Sequence, residues 1–209
     1  MVVDVGNEQS VKQLFEHVGE EFGRIDVLHN NAGVLGGPRF PGARSDYWNR
    51  AIDVNLRGVL HGVQHSLELF GSDGGCIVNT GSTAGLEPGP VDPVYAATKS
   101  AVVNLTRSLA FLESERGIRI NCVCPGLVTT HLSEHSGLLL DAADEVDFHA
   151  SRLAAGKYSG PTLYPEDVAA AVLELVVGNH NGACLRVEAG HTNAIVRSTP
   201  RLENMTKSI

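Results

Sequence analysis

Nowhere in the 209 residues is there an apolar run long enough to span a bilayer, nor a basic-then-apolar leader at the N-terminus. No membrane partner is expected, and the cytoplasm is the expected compartment. Cysteine is scarce: Cys76, Cys122, Cys124 and Cys184 are the whole set, none in a C-x-x-C pair and each inside an apolar run. Buried, reduced thiols are expected, not a disulfide framework. Basic residues are in deficit, 16 against 24 acidic, for a net charge of −8. That balance argues against nucleic acid or an anionic surface as a partner. Two histidine pairs stand at i, i+4, His61/His65 and His131/His135, but no third ligand and no H-E-x-x-H accompanies either. No metal site is expected; His131 and His135, just past a Pro-Gly stretch, are candidates for substrate contact.

What is present reads as one α/β domain. Met1–Val5 suggests a short buried strand, and Asn7 or Ser10 a cap for a helix with Val11, Leu14, Phe15, Val18 and Phe22 on one face, ended by Gly23. A strand over residues 25–30 runs into the small-residue turn Asn31-Ala32-Gly33, and a loop covers 34–45. Ser45 or Asp46 is expected to cap a long helix reaching about residue 70. Further strands are expected at 76–79, 118–124 and 183–187, with helices at about 94–112 and from Pro165. Residues 129–164 read as a flap with some helix, and 190–209 as a polar tail. Strands alternating with helices imply a Rossmann-like parallel sheet covered on both faces, with ligands beyond the carboxyl ends of the strands.

The chemistry centres on Tyr95 and Lys99, four residues apart and hence one helical turn from each other. A phenol, with an ordinary pKa of about 10, is a poor base at neutral pH. A neighbouring ammonium favours the phenolate, so the pair reads as a proton-transfer group and the group that tunes it. Such a pair also arises by chance on surface helices. Its weight comes from the polar turns that the topology gathers at the same edge: Asn31-Ala32-Gly33, Ser82 and Pro125-Gly126.

These residues together resemble the short-chain dehydrogenase/reductases, from residue 2 to about residue 190. Asn30-Asn31-Ala32-Gly33 matches the family's N-N-A-G, Asn55 its helix asparagine, and Ser82, thirteen residues before Tyr95, its serine. Tyr95 and Lys99 match Y-x-x-x-K, and Pro125 to Thr130 the stretch at the nicotinamide. Within the family the chain looks most like the 15-hydroxyprostaglandin-dehydrogenase-like branch, through the 92–95 and 181–183 stretches and a tail with Ser198-Thr199-Pro200. That branch has glutamine where this chain has Asp92, so no substrate is carried over.

The resemblance implies hydride transfer between NAD or NADP and a secondary alcohol or ketone, with the branch favouring NAD. Tyr95 would be the general acid/base, Ser82 would hold the substrate oxygen, Lys99 would lower the Tyr95 pKa and bind the nicotinamide ribose, and Asn55 would hold a water leading to solvent. Asp4 and Val5 would meet the adenine; Asn31, Ala32 and Gly33 would line the cofactor; Pro125, Gly126, Val128 and Thr130 would meet the nicotinamide end. A homodimer or homotetramer through the two long helices is implied as well.

The family's opening unit, with its T-G-x-x-x-G-x-G turn for the pyrophosphate, has no counterpart here. The resemblance therefore implies a chain short of two strand–helix units, on the order of 60 residues. Three expectations follow: an oxidoreductase whose true start lies upstream, a shortened chain that is inert or acts as an interaction module, and a 3-oxoacyl thioester reductase. In the shortened fold Val2–Val5 could slide in beside the strand at Ile25–Asn30 through a right-handed crossover.

Overall fold

The first helix is set by its cap. Asn7 Oδ1 accepts from Ser10 N at 3.0 Å, α1 runs Glu8–Phe22, and Val11 and Phe15 are buried beneath it. Gly23, at φ 75°, closes it with a bond from its N–H to Gly19 O, a conformation that suits glycine. The computed structural model describes residues 1–37, 42, 44–89, 92–130, 132 and 161–196.

The expected strand at Met1–Val5 does not form. Residues 1–4 have no ladder partner and Val2 is 99% exposed. Instead Asp4 starts a turn: its carboxylate accepts from Gly6 N at 3.0 Å, and its carbonyl accepts from Asn7 N at 3.1 Å. Ser10 Oγ accepts from Asp4 N at 3.1 Å, so the segment's polar groups are used in leading into α1. The placement of Val2–Val5 beside the next strand is ruled out by the same observations.

The sheet has five strands in the order β1 (Val27–Asn30), β2 (Gly75–Thr80), β3 (Ile118–Pro125), β4 (Cys184–Val187) and β5 (Ala194–Ile195). The first four are parallel; β5 pairs antiparallel with β4, within residues expected to be a polar tail. β2 and β3 are mostly apolar and buried because both faces are covered. Ile77, Ile120, Cys122, Cys124 and Cys184 meet Val59, Val63, Val102 and Val103 on one face; Cys76, Val78, Val123, Leu185 and Val187 meet Ala171 and Leu175 on the other. All four cysteines are buried and free. Among the described residues β1 pairs on one side only, with β2, and Val27 is exposed.

The long helix expected after residue 45 is a composite: α2 (Ser45–Ile52), a π-turn (Asp53–Arg57), α3 (Gly58–Ser66) and a 3-10 turn (Leu67–Leu69). Its N-cap is Arg44, with no side-chain bond, so neither Ser45 nor Asp46 caps it. The helix carrying the Tyr/Lys pair is α4 (Pro93–Ser108), followed by the separate α5 (Leu112–Arg116), which Gly117 ends at φ 68°. A helix α6 (Pro165–Val177) covers the other face, with Pro165 in its first turn. Arg119 on β3 ties down its far end, donating to Leu175 O (3.0 Å), Val176 O (2.6 Å) and His180 O (3.1 Å), where carbonyls lack helical partners. A row of amides fixes α4 over the sheet: Asn30 Nδ2 donates to Asn79 Oδ1 (2.9 Å), and Asn79 Nδ2 to Thr106 Oγ1 (3.0 Å).

Candidate active site

Asp92 begins α4, Pro93 occupies its first turn, and Tyr95 and Lys99 stand on successive turns of it. Lys99 is only 3% exposed. Its Nζ donates to the main-chain oxygen of Thr80 at 2.8 Å and lies 5.6 Å from the centroid of the Tyr95 ring. Burial brings the ammonium down to about 8, while Cys122 and Cys124 act in the opposite direction. The Tyr95 phenol is pushed above its ordinary value, first by burial; the Ser82 hydroxyl pulls it back, and Asp92 and Cys124 push it further up. The lowering of the phenol expected from Lys99 is not seen here: burial is the largest cause of its shift and raises it, Lys99 is not among the groups that move it, and the ammonium's own bond goes to Thr80 rather than to the phenol.

Ser82 lies on the turn after β2, where it caps a single 3-10 turn, Thr83–Gly85, and its Oγ accepts from Ala84 N at 3.2 Å. The glycines on either side permit its approach. A Cβ on Gly81 would sit 2.8 Å from Cys122 Sγ and 3.0 Å from Cys124 Sγ; one on Gly85 would sit 2.7 Å from the Lys99 carbonyl carbon and oxygen. Two further bonds pin the turn: Ser100 Oγ donates to Gly85 O at 3.0 Å, and Arg186, paired through both forks with Glu188, reaches Glu87 at 2.6 Å.

Asn55 lies in the π-turn and is fully buried. Its Oδ1 accepts from Val34 N (2.7 Å), and its Nδ2 donates to Val34 O (2.8 Å) and Thr98 Oγ1 (3.1 Å). Both side-chain donors are thus spent in joining the strand-end turn to α4. Gly33 lies beside both Asn55 and Lys99: a Cβ there would lie 3.4 Å from Asn55 Oδ1 and from Lys99 Nζ. Asn31 joins through Thr80, whose hydroxyl donates to Asn31 Oδ1 at 3.1 Å. With that hydrogen spent, His29 Nε2 must be the donor in its 2.9 Å bond to Thr80 Oγ1, in keeping with burial lowering the His29 pKa. Ala32 is exposed beside them.

The remaining candidates are more dispersed. Val5 lies against the helix composite, its Cγ2 2.9 Å from where a Gly58 Cβ would be and its carbonyl 3.3 Å from His61 Nδ1, while Asp4 is exposed in the turn before α1. Pro125 ends β3 opposite Val187, and Gly126 N donates to Val187 O at 2.8 Å. Val128 bridges Leu163, and Thr130 follows on the same loop. His65 faces Glu8 at 3.4 Å, so His61 and His65 have separate partners, and the described residues contain no group that could hold a metal. His131, His135, residues 133–160 of the flap and the Ser198–Pro200 tail lie outside the described residues. A cleft of about 370 Å³ lined by Asn49, Ile52, Asp53 and Arg57 contains none of the candidate residues. Sequence reasoning gave no role at the site to Thr80, Thr98 or Asp92. Of these, Asp92 alone carried a signal, an Asp-Pro pair three residues before Tyr95 that marks a helix start.

Known proteins resemble this chain in sequence and fold. The family described as short chain dehydrogenase matches residues 1–138. Meso-2,3-butanediol dehydrogenase of Serratia marcescens is 36% identical over 193 residues, 91% of this chain and 73% of that protein. The 15-hydroxyprostaglandin dehydrogenase [NAD(+)] of Mus musculus is 31% identical over 193 residues, 89% of this chain and 68% of that protein. Among solved structures, levodione reductase superposes with a TM-score of 0.78 at 30% identity, covering 91% of this chain and 75% of that one. The chain belongs to the short-chain dehydrogenase family, whose members are NAD(P)-dependent oxidoreductases.

Proposed function

We propose that the chain interconverts a secondary alcohol and a ketone with NAD or NADP, using Tyr95 as the proton-transfer group. The observation that carries this is the buried Lys99 ammonium, held by Thr80 O at 2.8 Å beside the Tyr95 ring and facing the bare Gly33 backbone.

The residues present fit the nicotinamide-ribose end of such a cofactor. A Cβ at Gly33 would fill the space 3.4 Å from Lys99 Nζ, and one bond of that Nζ is made to Thr80, which leaves N–H donors for hydroxyls. Lys99, Asn31, Ala32 and Gly33 would hold the sugar end, and Pro125, Gly126, Val128 and Thr130 the ring end. Asp4 and Val5 would meet the far base. When bound, the cofactor supplies or accepts the hydride at the substrate carbon. The protein's own part is the proton. Burial keeps the Tyr95 phenol protonated at neutral pH, the form that donates to a ketone oxygen. Ser82 Oγ offers a second hydrogen bond to that oxygen and fixes its position. Asn55 braces the turn at Val34; with both side-chain donors in use, a water on a path from Lys99 would donate to its side-chain oxygen or rest on its main chain.

A homodimer or homotetramer through α2–α3 and α4 belongs to the same reading, supported by the exposed Leu60 on α3. The test is calorimetric titration of the chain with NADH and with NADPH. It is followed by turnover on a panel of small ketones, secondary alcohols and 3-oxoacyl thioesters, beside Tyr95→Phe. Binding of one nucleotide, with turnover that Tyr95→Phe abolishes, is the expected result. A folded chain that binds neither nucleotide overturns the reading.

A further inference from the structure

We propose that Asp92 is a positioning residue: it clamps the segment after Gly33 to the first turn of α4 and sets a buried carboxylate at the start of the helix that carries Tyr95. Each carboxylate oxygen has its own backbone partner. Oδ1 accepts from Tyr95 N at 2.9 Å, and Oδ2 accepts from Gly36 N at 2.7 Å, across 56 residues of sequence. A helix cap needs only the first of these, and serine or asparagine would supply it without a charge. The second bond is what joins two separate parts of the site.

Gly36 is shaped to this contact. A Cβ there would sit 2.5 Å from Asp92 Oδ1, 2.9 Å from Tyr95 N and 3.0 Å from Val94 Cβ, so a side chain would break the clamp. Asp92 is 8% exposed, and both oxygens face backbone, so it acts through Tyr95 and the loop instead of presenting a free carboxylate to substrate. The positive end of α4 favours a charge at this position. Burial raises the Asp92 pKa, and backbone N–H groups of Tyr95, Gly36 and Val94 pull it back. The charged and titratable groups around the phenol are Asp92 and Lys99 on its own helix and Cys124 on β3, with the Ser82 hydroxyl on the turn after β2. Of these, Asp92 is the carboxylate, and it raises the phenol's pKa.

The proposal rests on Tyr95 being the proton-transfer group, but its test reads the phenol itself. Tyrosinate absorbance is followed against pH in the full chain, in Asp92→Asn and in Asp92→Ser, each with and without Tyr95→Phe, so that subtraction isolates Tyr95. The expected result is a Tyr95 midpoint lower in both variants, by on the order of one pH unit. A midpoint equal to or above that of the unaltered chain, in whichever variant keeps the native circular dichroism, overturns the proposal. Amide hydrogen exchange on the unaltered chain needs no variant: slow exchange at Gly36 is expected, and exchange at the rate of a free loop amide overturns the clamp. A shifted midpoint in a chain that turns over no alcohol or ketone would remove the proposed function and leave this inference standing.

Discussion

The Lys99 ammonium and the Thr80 carbonyl are joined at 2.8 Å, and that single bond holds a cation with 3% exposure at the carboxyl end of β2. The arrangement costs stability at neutral pH. Lys99 titrates at about 8 in the folded chain, against 10.5 for an ordinary lysine. Between those values the unfolded chain binds more protons than the folded one, so stability rises with pH across that window. A tenfold change in proton affinity is worth about 1.4 kcal/mol, so the gain is on the order of a few kcal/mol at most. Denaturant melts at pH 7.5 and pH 9.5 should show the increase in the unaltered chain and not in Lys99→Met, which should also be inactive. Equal slopes in the two proteins would mean that the ammonium is not desolvated as the fold places it.

Ser82 does two things that a pair of substitutions separates. Its Oγ accepts from Ala84 N at 3.2 Å, and its hydroxyl lowers the Tyr95 pKa. Ser82→Ala removes a turn cap, costing about 1 kcal/mol in a chemical melt. It should also lower kcat by roughly 10²-fold or more and move the phenol midpoint upward. Ser82→Thr keeps the oxygen and should recover most of the stability. A Ser82→Ala chain with unaltered kcat would remove the serine from the reaction.

Asn55→Leu tests the brace. The substitution orphans the N–H and C=O of Val34, both bonded to a side chain with no exposure, and takes a donor from the Thr98 hydroxyl, which still donates to Tyr95 O at 2.7 Å. A buried group left without its partner costs roughly 1–3 kcal/mol. The expected outcome is a fall of several kcal/mol in unfolding free energy by urea titration, with nucleotide affinity falling alongside. A leucine variant as stable as the unaltered chain would show that Val34 finds other partners.

Much of this site was legible because its parts are local: a small-residue turn after a strand, a serine after the next, a Tyr and a Lys one turn apart. What was not legible depended on partners distant in sequence. Met-Val-Val-Asp-Val has the composition of a buried strand, but a strand needs a neighbour, and Val2 has none; Asp4 and Ser10 then favour a turn. Helical periodicity runs through Asp53–Arg57 without a break, so the π-turn that aims Asn55 at Val34 leaves no mark in the pattern. β5 is two residues long and is made by pairing with β4, not by any apolar run of its own. Asp92 could be read as a cap from the proline that follows it, but its reach to Gly36 is a property of the folded chain.

Gly85 and Gly23 give a matched contrast between crowding and conformation. A Cβ on Gly85 would meet the Lys99 carbonyl carbon and oxygen at 2.7 Å and Lys99 Cβ at 3.0 Å, and main chain on α4 cannot rotate away as a side-chain tip could. Gly85→Ala must therefore lift the Thr83–Gly85 turn from α4, carrying Ser82 away from Tyr95. A displacement of about 1 Å at a reacting group costs on the order of 10²-fold in rate, and overpacking of this kind costs roughly 1–3 kcal/mol. At Gly23 nothing lies within 4 Å of the added carbon, but φ is 75°, a backbone conformation that alanine adopts at a cost. Gly23→Ala should lose on the order of 1 kcal/mol of stability and none of the turnover per folded molecule, because α1 ends far along the chain from the reacting groups and its closure touches none of them. Measured together by thermal melts and kcat, the two substitutions should give comparable losses of stability and very different losses of rate. Comparable losses of rate would mean that the turn bearing Ser82 is not held against α4 in the working protein.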